Sequence, residues 1–447
     1  MPDKAGPLRR LLPDIGPARE SPAFRRLLAG GLLSSLGSSM TSFAVVLQIW
    51  DLSRSSLDVG LLGLTFVPVL IIGLLGGTIA DVVDRRKLAL ATSMGLMTVS
   101  AAFAAQAYLQ VGRLWPLYLL AMVQAVLQAI SAPARRTFVP RLVRSGQLTA
   151  AITLNTLTGR ITMLAGPALA GVIAGAFGLR VCYAVDAVSF VASLYATARL
   201  PAMRPQPAGA PALGRLRAAA AGLRFIRRRP VLVAAFLTDL DAMLLGLPVA
   251  IFPALNAAHF GGRPQTLGLL NAAVGVGGLA SAVMSGPTGR LSRPGRGLLA
   301  GTMIWGAAIA CFGLTRSLPL ALILLATAGA ADTLTVTFRG SIVQALTTDE
   351  FRGRVSSVEY IIGTGGGPLG NIETGTVAAL TTPAFSAVSG GIGCLAAATL
   401  IALTFPALAR YRPGAGGSAG GQATQRVRIV TPPCGRPPAS DAVRTQK

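Results

Sequence analysis

The chain has 447 residues, of which 52% are hydrophobic and only 13% charged, about half the charged fraction usual in soluble proteins (about 25%), which argues against a soluble enzyme. Its 40 Lys and Arg against 16 Asp and Glu give a net charge of +24. In a polar protein that excess would point to nucleic acid. In so apolar a chain it points to a membrane protein whose basic residues gather on one side. The cysteines Cys182, Cys311, Cys394 and Cys434 lie far apart and His259 is the lone histidine, so no disulfide framework, metal cluster or other cofactor is expected.

A bilayer core of about 30 Å takes roughly 20 apolar residues per helix. On that ruler twelve spans are expected, near 27–49, 57–80, 88–110, 115–133, 149–177, 180–199, 231–256, 266–288, 297–315, 318–338, 355–380 and 384–408. The first is too long, and too far from a small-residue cleavage site, to be a signal peptide. With the N-terminus inside, 34 basic residues fall on the cytoplasmic side, Arg135 and Arg339 among them, 5 fall outside, and Arg160 lies within a span. This asymmetry predicts cytoplasmic termini and an even number of spans.

The expected organisation is a cytoplasmic tail (1–26), a six-helix bundle (27–199), a cytoplasmic linker (200–230), a second six-helix bundle (231–408) and a cytoplasmic tail (409–447). The linker carries a basic amphipathic segment, with Leu216, Leu223 and Ile226 apolar among Arg215, Arg217, Arg224 and Arg227. Such a segment suits the anionic inner surface of a membrane. The final tail is rich in Gly, Pro and Ser from 412 onward, a composition that cannot bury a core and predicts disorder. Gly166-Pro167 in the fifth span and Gly367-Pro368 in the eleventh are equivalent positions of a weak repeat, the plan in which a transporter binds its cargo between two halves near the midplane.

After the second span the chain reads Gly76-Gly77-Thr78-Ile79-Ala80-Asp81-Val82-Val83-Asp84-Arg85-Arg86-Lys87. This run resembles the signature between the second and third helices of the major facilitator superfamily. The resemblance implies a latch that holds the two halves together in the outward-facing state. In it Gly77 allows close helix approach and Asp81 receives donors from a helix N-terminus. Asp84, Arg85, Arg86 and Lys87 would engage the start of the eleventh span near Arg354. Val82 stands where many members carry a basic residue, and Arg290 stands where a second copy of the motif would place its acid. The run Gly166-Pro167-Ala168-Leu169-Ala170-Gly171 resembles the fifth-helix motif of exporting members, with Pro167 removing one helix hydrogen bond. Together with Trp50 to Ser53, Pro133 to Val143, Asn155, Arg160, Asp186 to Phe190 and Phe351 to Val355, these pieces resemble the branch that contains enterobactin exporters and macrolide-efflux-like proteins. The fold implied is all-α and integral to the membrane, with twelve helices in two six-helix pseudo-repeats.

Ionisable residues inside a membrane each cost at least a few kcal/mol and usually face a cavity. Here they are Arg160, Asp186, Asp239, Asp241, Asp332 and Glu373, with Glu359 nearer the surface. The resemblance implies that the first, fourth, seventh and tenth helices line the cavity. Asp332 and either Asp239 or Asp241 are therefore the candidates for a proton or cationic-substrate site, with Arg160 and Asn155 beside them. Residues two apart on a helix point about 200° apart, so Asp239 and Asp241 cannot both face one cavity. Asp332 is the expected partner of Arg160, in a static pair or a working one. Asn155, Asn271, Gln124 and Gln128 can bond to cargo or to one another. No P-loop, nucleophile–His arrangement or metal set is present, so the expected protein is not an enzyme. It is a monomeric, proton-coupled antiporter in the cytoplasmic membrane that exports small amphipathic drugs, siderophores or other natural products, with no nucleic-acid partner. An importer, a lipid transporter or a non-transporting sensor on the same fold is the alternative.

Overall fold

The computed structural model describes residues 14–75, 83–201, 212–246, 249–288 and 293–412. Every regular element among them is helical, because only a helix satisfies its own N–H and C=O groups where lipid excludes water. The first half of the chain folds as α1 (Pro22–Ser53), α2 (Ser56–Leu61), α3 (Phe66–Leu75), α4 (Arg85–Tyr108), α5 (Trp115–Arg136), α6 (Leu148–Phe177) and α7 (Leu179–Ala198). The second half folds as α8 (Ala212–Arg227), α9 (Pro230–Leu245), α10 (Phe252–His259), α11 (Pro264–Thr288), α12 (Pro294–Leu314), α13 (Leu318–Leu346), α14 (Asp349–Leu380) and α15 (Pro383–Thr404). Several helices begin where proline or a capping side chain sits. Pro opens α1, α9, α12 and α15, a position whose N–H has no intrahelical partner to lose. The Ser21 and Thr382 hydroxyls accept from Phe24 N and Phe385 N.

Nine helical segments among the described residues are long and apolar enough to cross a bilayer: Pro22–Ser53, Arg85–Tyr108, Trp115–Leu142, Ser145–Phe177, Leu179–Ala198, Pro230–His259, Pro294–Leu314, Leu318–Leu346 and Pro383–Thr404. The expected second, eighth and eleventh spans are helical as well. The second begins as a shorter apolar stretch, Ser56–Ile72, interrupted by a 3-10 turn at Leu62–Thr65. The eighth is α11, and the eleventh is α14, 32 residues long.

The basic turns and helix ends at Arg85–Lys87, Arg135–Arg144, Arg224–Arg229 and Arg293–Arg296 lie toward one end of the helices, called here the basic end. Crowding there is electrostatic: Arg296 and Arg412 together hold the exposed Arg293 guanidinium below its usual proton affinity. At the opposite end a single apolar core spans both halves, joining Phe43 and Ala170 to Phe252, Leu267 and Leu270. At the basic end the described apolar clusters are separate. Phe24, Val139, Ala151 and Leu154 pack within the first half, and Ile226, Phe236, Phe338 and Val355 pack within the second.

Glycines make the joint at the end opposite the basic one. A Cβ on Gly171 of α6 would stand 2.7 Å from Pro264 O and 2.9 Å from Gly268 Cα of α11. One on Gly60 of α2 would stand 2.6 Å from Asn371 O of α14. Small residues let helices approach this closely in lipid, where packing rather than hydrophobicity drives association. At this end the two halves therefore meet backbone to backbone, and α3 of the first half also contacts α14 and α8 of the second.

The linker segment forms α8, whose apolar side is partly covered while Leu223 stays exposed. Ile226 joins the second-half core, and Phe225 stacks on Phe351 at 4.5 Å between centroids. Gly222 lies against the backbone of Arg354. The sequence expectation of a helix resting on the membrane surface is thus supplemented by a docking site on the first turns of α14.

Candidate functional site

Between the halves lies a cavity of about 380 Å³, within the range that holds small organic ligands. The first half contributes Ser39 of α1 and Met163 and Pro167 of α6. The second half contributes an apolar wall that includes Phe252 and Trp305, and into it are set Asp239, Asp332 and Arg339.

Asp239 and Arg339 form an ion pair in which both side chains are nearly buried, at 11% and 10% exposure. Arg339 Nη2 also lies 3.7 Å from Glu359 Oε1 on α14, so one guanidinium is shared by two carboxylates. Sequence reading counted Arg339 among the cytoplasmic charges because the apolar run of the tenth span fades near 338. The structure corrects this. α13 continues to Leu346, and Arg339 is a buried helix residue facing the cavity. The spacing carried the signal: 332, 335 and 339 recur at helical intervals on one face, and all three line the cavity. The same extension puts Asp332 at the middle of α13, fourteen residues from either end, about 21 Å at 1.5 Å per residue.

Asp332 is open to the cavity; Arg160, its expected partner, is exposed, is not part of the cavity wall and forms no ion pair with it among the described residues. Asp241 points elsewhere. It is buried, and its Oδ2 accepts a weak hydrogen bond from Cys394 Sγ at 3.7 Å, which decides the choice between Asp239 and Asp241 on geometry. Asn155 is exposed and is not part of the cavity wall, whereas Asn271 lines it. Asp186 is fully buried and accepts from Thr41 and Ser100 at 2.7 Å each and from Ser38 at 3.4 Å, so it ties α1, α4 and α7 together.

The Gly-Pro run divides its tasks. Gly166 packs against Ser39 of α1 within its own half, Pro167 lines the cavity, and Gly171 meets α11 of the other half. Of the latch residues, Gly77 and Asp81 lie outside the described residues. Asp84 Oδ1 caps α4 by accepting from Arg86 N and Lys87 N at 2.8 and 3.2 Å. Arg85 is buried, and Arg86 Nη2 donates to Ala198 O at 2.6 Å, in the same half. Arg354, the expected partner across the interface, pairs instead with Glu350 at 3.5 Å and stacks over Phe351.

A family model described as transmembrane secretion effector matches residues 15–411. The chain belongs to that family of the major facilitator superfamily. It is accordingly a multi-pass transporter of the cytoplasmic membrane and not an enzyme. Among curated relatives, the enterobactin exporter EntS of Citrobacter koseri is 28% identical over 374 residues, covering 83% of this chain and 89% of that one. The uncharacterised transporter YfiS of Bacillus subtilis is 30% identical over 285 residues, 60% of this chain and 66% of that one. Solved structures share the fold at low identity. A bacterial homologue of the iron transporter ferroportin superposes with a TM-score of 0.66 at 16% identity, over 87% of this chain and 99% of that one. The nucleoside transporter NupG gives 0.68 at 12%, over 87% and 100%.

Proposed function

We propose that the protein is a secondary active efflux transporter, a proton-coupled antiporter that carries small amphipathic drugs, siderophores or other natural products out across the cytoplasmic membrane. In this reading the chain spans the bilayer twelve times as two six-helix bundles, 27–199 and 231–408, works as a monomer and has both termini in the cytoplasm. The observation that carries it is the cavity between the halves, lined by two carboxylates, one of which, Asp239, is ion-paired with Arg339. The likeness to enterobactin exporters supports the outward direction.

In this reading cargo enters the cavity from the basic end. Asp332 and Asp239 exchange protons for cargo as access alternates. When Asp239 takes a proton its charge disappears, and Arg339 is held by Glu359 alone. That change gives the second half two electrostatic arrangements, which a proton can select. Closure of the basic end brings the latch motif, Gly77 to Lys87, against the start of α14 and frees the glycine joint opposite.

The test uses purified protein in liposomes and ethidium as an amphipathic probe. An imposed pH gradient drives ethidium movement in the wild type. Asp332→Asn and Asp239→Asn lose that drive at least tenfold. Transport indifferent to the gradient removes the coupling, and full activity in both variants removes the site.

A further inference from the structure

Beside the central cavity, and sharing Ser39 with it, the first half holds a second recess of about 350 Å³. Its lining is unlike the acid-bearing wall opposite. α1 supplies five hydroxyls, those of Ser34, Ser35, Ser38, Ser39 and Ser42, and α5 supplies Gln128, Ser131 and Arg135. Arg135, like Arg339, was counted among the loop charges from sequence, yet it ends a polar stripe on α5 at 124, 128, 131 and 135, the spacing of one helix face. Gln124, on that stripe, is buried with an Nε2 that finds no acceptor among the described residues.

An inventory of hydrogens and lone pairs gives the recess a sign. Ser34 and Ser42 donate to the carbonyls of Gly31 and Ser38, Ser131 donates to Gln128 O, and Ser38 donates to Asp186. Asp186, the acid behind this wall, already accepts from three hydroxyls. Arg135 spends one amino group, Nη2, on Ser93 Oγ at 2.8 Å, and no carboxylate pairs with it among the described residues. The donors left over are the rest of that guanidinium, the Gln128 amide and the hydroxyls of Ser35 and Ser39. A concave site whose spare groups are donors, one of them permanently cationic, fits an anionic oxygen.

We propose that this recess is a binding subsite for the anionic, oxygen-bearing end of an amphipathic cargo, a carboxylate or phenolate, whose apolar body lies in the central cavity. Arg135 is its charge anchor, and Ser35, Ser39 and Gln128 are its neutral donors. The subsite rests on the reading of the central cavity as the cargo path. It extends that reading to a substrate class: organic anions, or zwitterions whose cationic end meets Asp332.

Binding of two related dyes to the purified full-length protein, followed by fluorescence polarisation, tests this without requiring transport. Fluorescein is anionic and rhodamine 6G is cationic. The expected result is fluorescein binding that weakens tenfold or more in Arg135→Gln, recovers in part in Arg135→Lys, and weakens severalfold in Ser35→Val and Gln128→Leu, while rhodamine 6G affinity stays within twofold. Equal losses for both dyes in Arg135→Gln, no recovery with Lys, or a wild type that does not hold fluorescein overturns the subsite. So does loss of fluorescein binding in Arg160→Gln with Arg135→Gln unaffected. Fluorescein binding as expected together with no export of either dye from cells sinks the efflux reading and leaves the subsite standing. Rhodamine export without fluorescein binding does the reverse.

Discussion

The glycine joint makes a prediction about conformation that can be worked from the coordinates. In Gly268→Ala the new methyl stands 2.7 Å from Pro167 O and 3.0 Å from Gly171 Cα; in Gly171→Ala it stands 2.7 Å from Pro264 O. Carbon atoms sit comfortably at about 3.5–4.0 Å, and all three neighbours are backbone, so no side-chain rotation relieves the overlap. Overpacking of this kind costs about 1–3 kcal/mol. The cost arises only while this end is closed, so it transfers in full to the equilibrium between the two access states. At 1.4 kcal/mol per tenfold, either substitution moves the population about 5- to 150-fold toward the state open at this end. The assay is alkylation of Met163→Cys, a half-exposed cavity residue at 55%, by a membrane-impermeant maleimide, with Cys311 and Cys434 replaced by Ser. The parent reacts fastest in inverted vesicles, which present the basic end in the proposed topology. Each alanine variant shifts reaction toward right-side-out vesicles. An unchanged ratio in a folded variant shows that the α6–α11 contact is not the gate.

Three further outcomes follow from named contacts. Arg339→Gln leaves Asp239 nearly buried without its ion-pair partner, a loss of about 3–5 kcal/mol, and lowers thermal stability in detergent; the double variant Asp239→Asn/Arg339→Gln regains most of it but not proton-driven transport, and a double variant as unstable as the single one refutes the pairing. Asp186→Leu deprives Thr41, Ser100 and Ser38 of their shared acceptor, at about 1–3 kcal/mol for each buried hydroxyl left unpaired. Its expected signature is reduced yield and melting temperature with unaltered cargo preference among the molecules that fold, and a changed preference at normal stability contradicts a purely structural Asp186. Phe225→Ala removes the stack on Phe351, worth about 0.5–1.5 kcal/mol beyond burial, so amide exchange across 212–227 accelerates; exchange that stays slow shows that α8 is held by other contacts.

What the sequence made legible, and what it hid, both follow from the apolar ruler. Long hydrophobic runs separated by basic turns located the helices, because lipid imposes the same length on each. The Gly-Pro run marked α6, and the 200° argument separated Asp239 from Asp241. The ruler stops at the first charge, however, and therefore ends a helix too early wherever a charge faces a cavity instead of lipid. That is why α13 was expected to end near 338 and why Arg339 was assigned to a loop. The bond between Cys394 and Asp241 joins residues 153 apart and left no local pattern to find. The docking of α8 was hidden for a related reason: amphipathicity shows that a helix has an apolar side, and Gly222, Phe225 and Ile226 show what covers it only once α14 is in place.

The two arginines that the same ruler placed just beyond their spans also show how two adjoining recesses can offer two kinds of chemistry. A basic excess of +24 is mostly topological and recognises nothing. Arg339 and Arg135 themselves line the two recesses at the boundary of the halves, and they differ from each other in what they face. Arg339 is held by Asp239 and Glu359, so its charge is engaged and becomes available only when a carboxylate is neutralised. Arg135 faces hydroxyls and an amide, so its charge is available in the state seen here. A cation that is released by protonation suits coupling, and one that no carboxylate neutralises suits recognition. The division between them runs along the boundary between the two halves of the chain, the surface across which access alternates in the proposed mechanism.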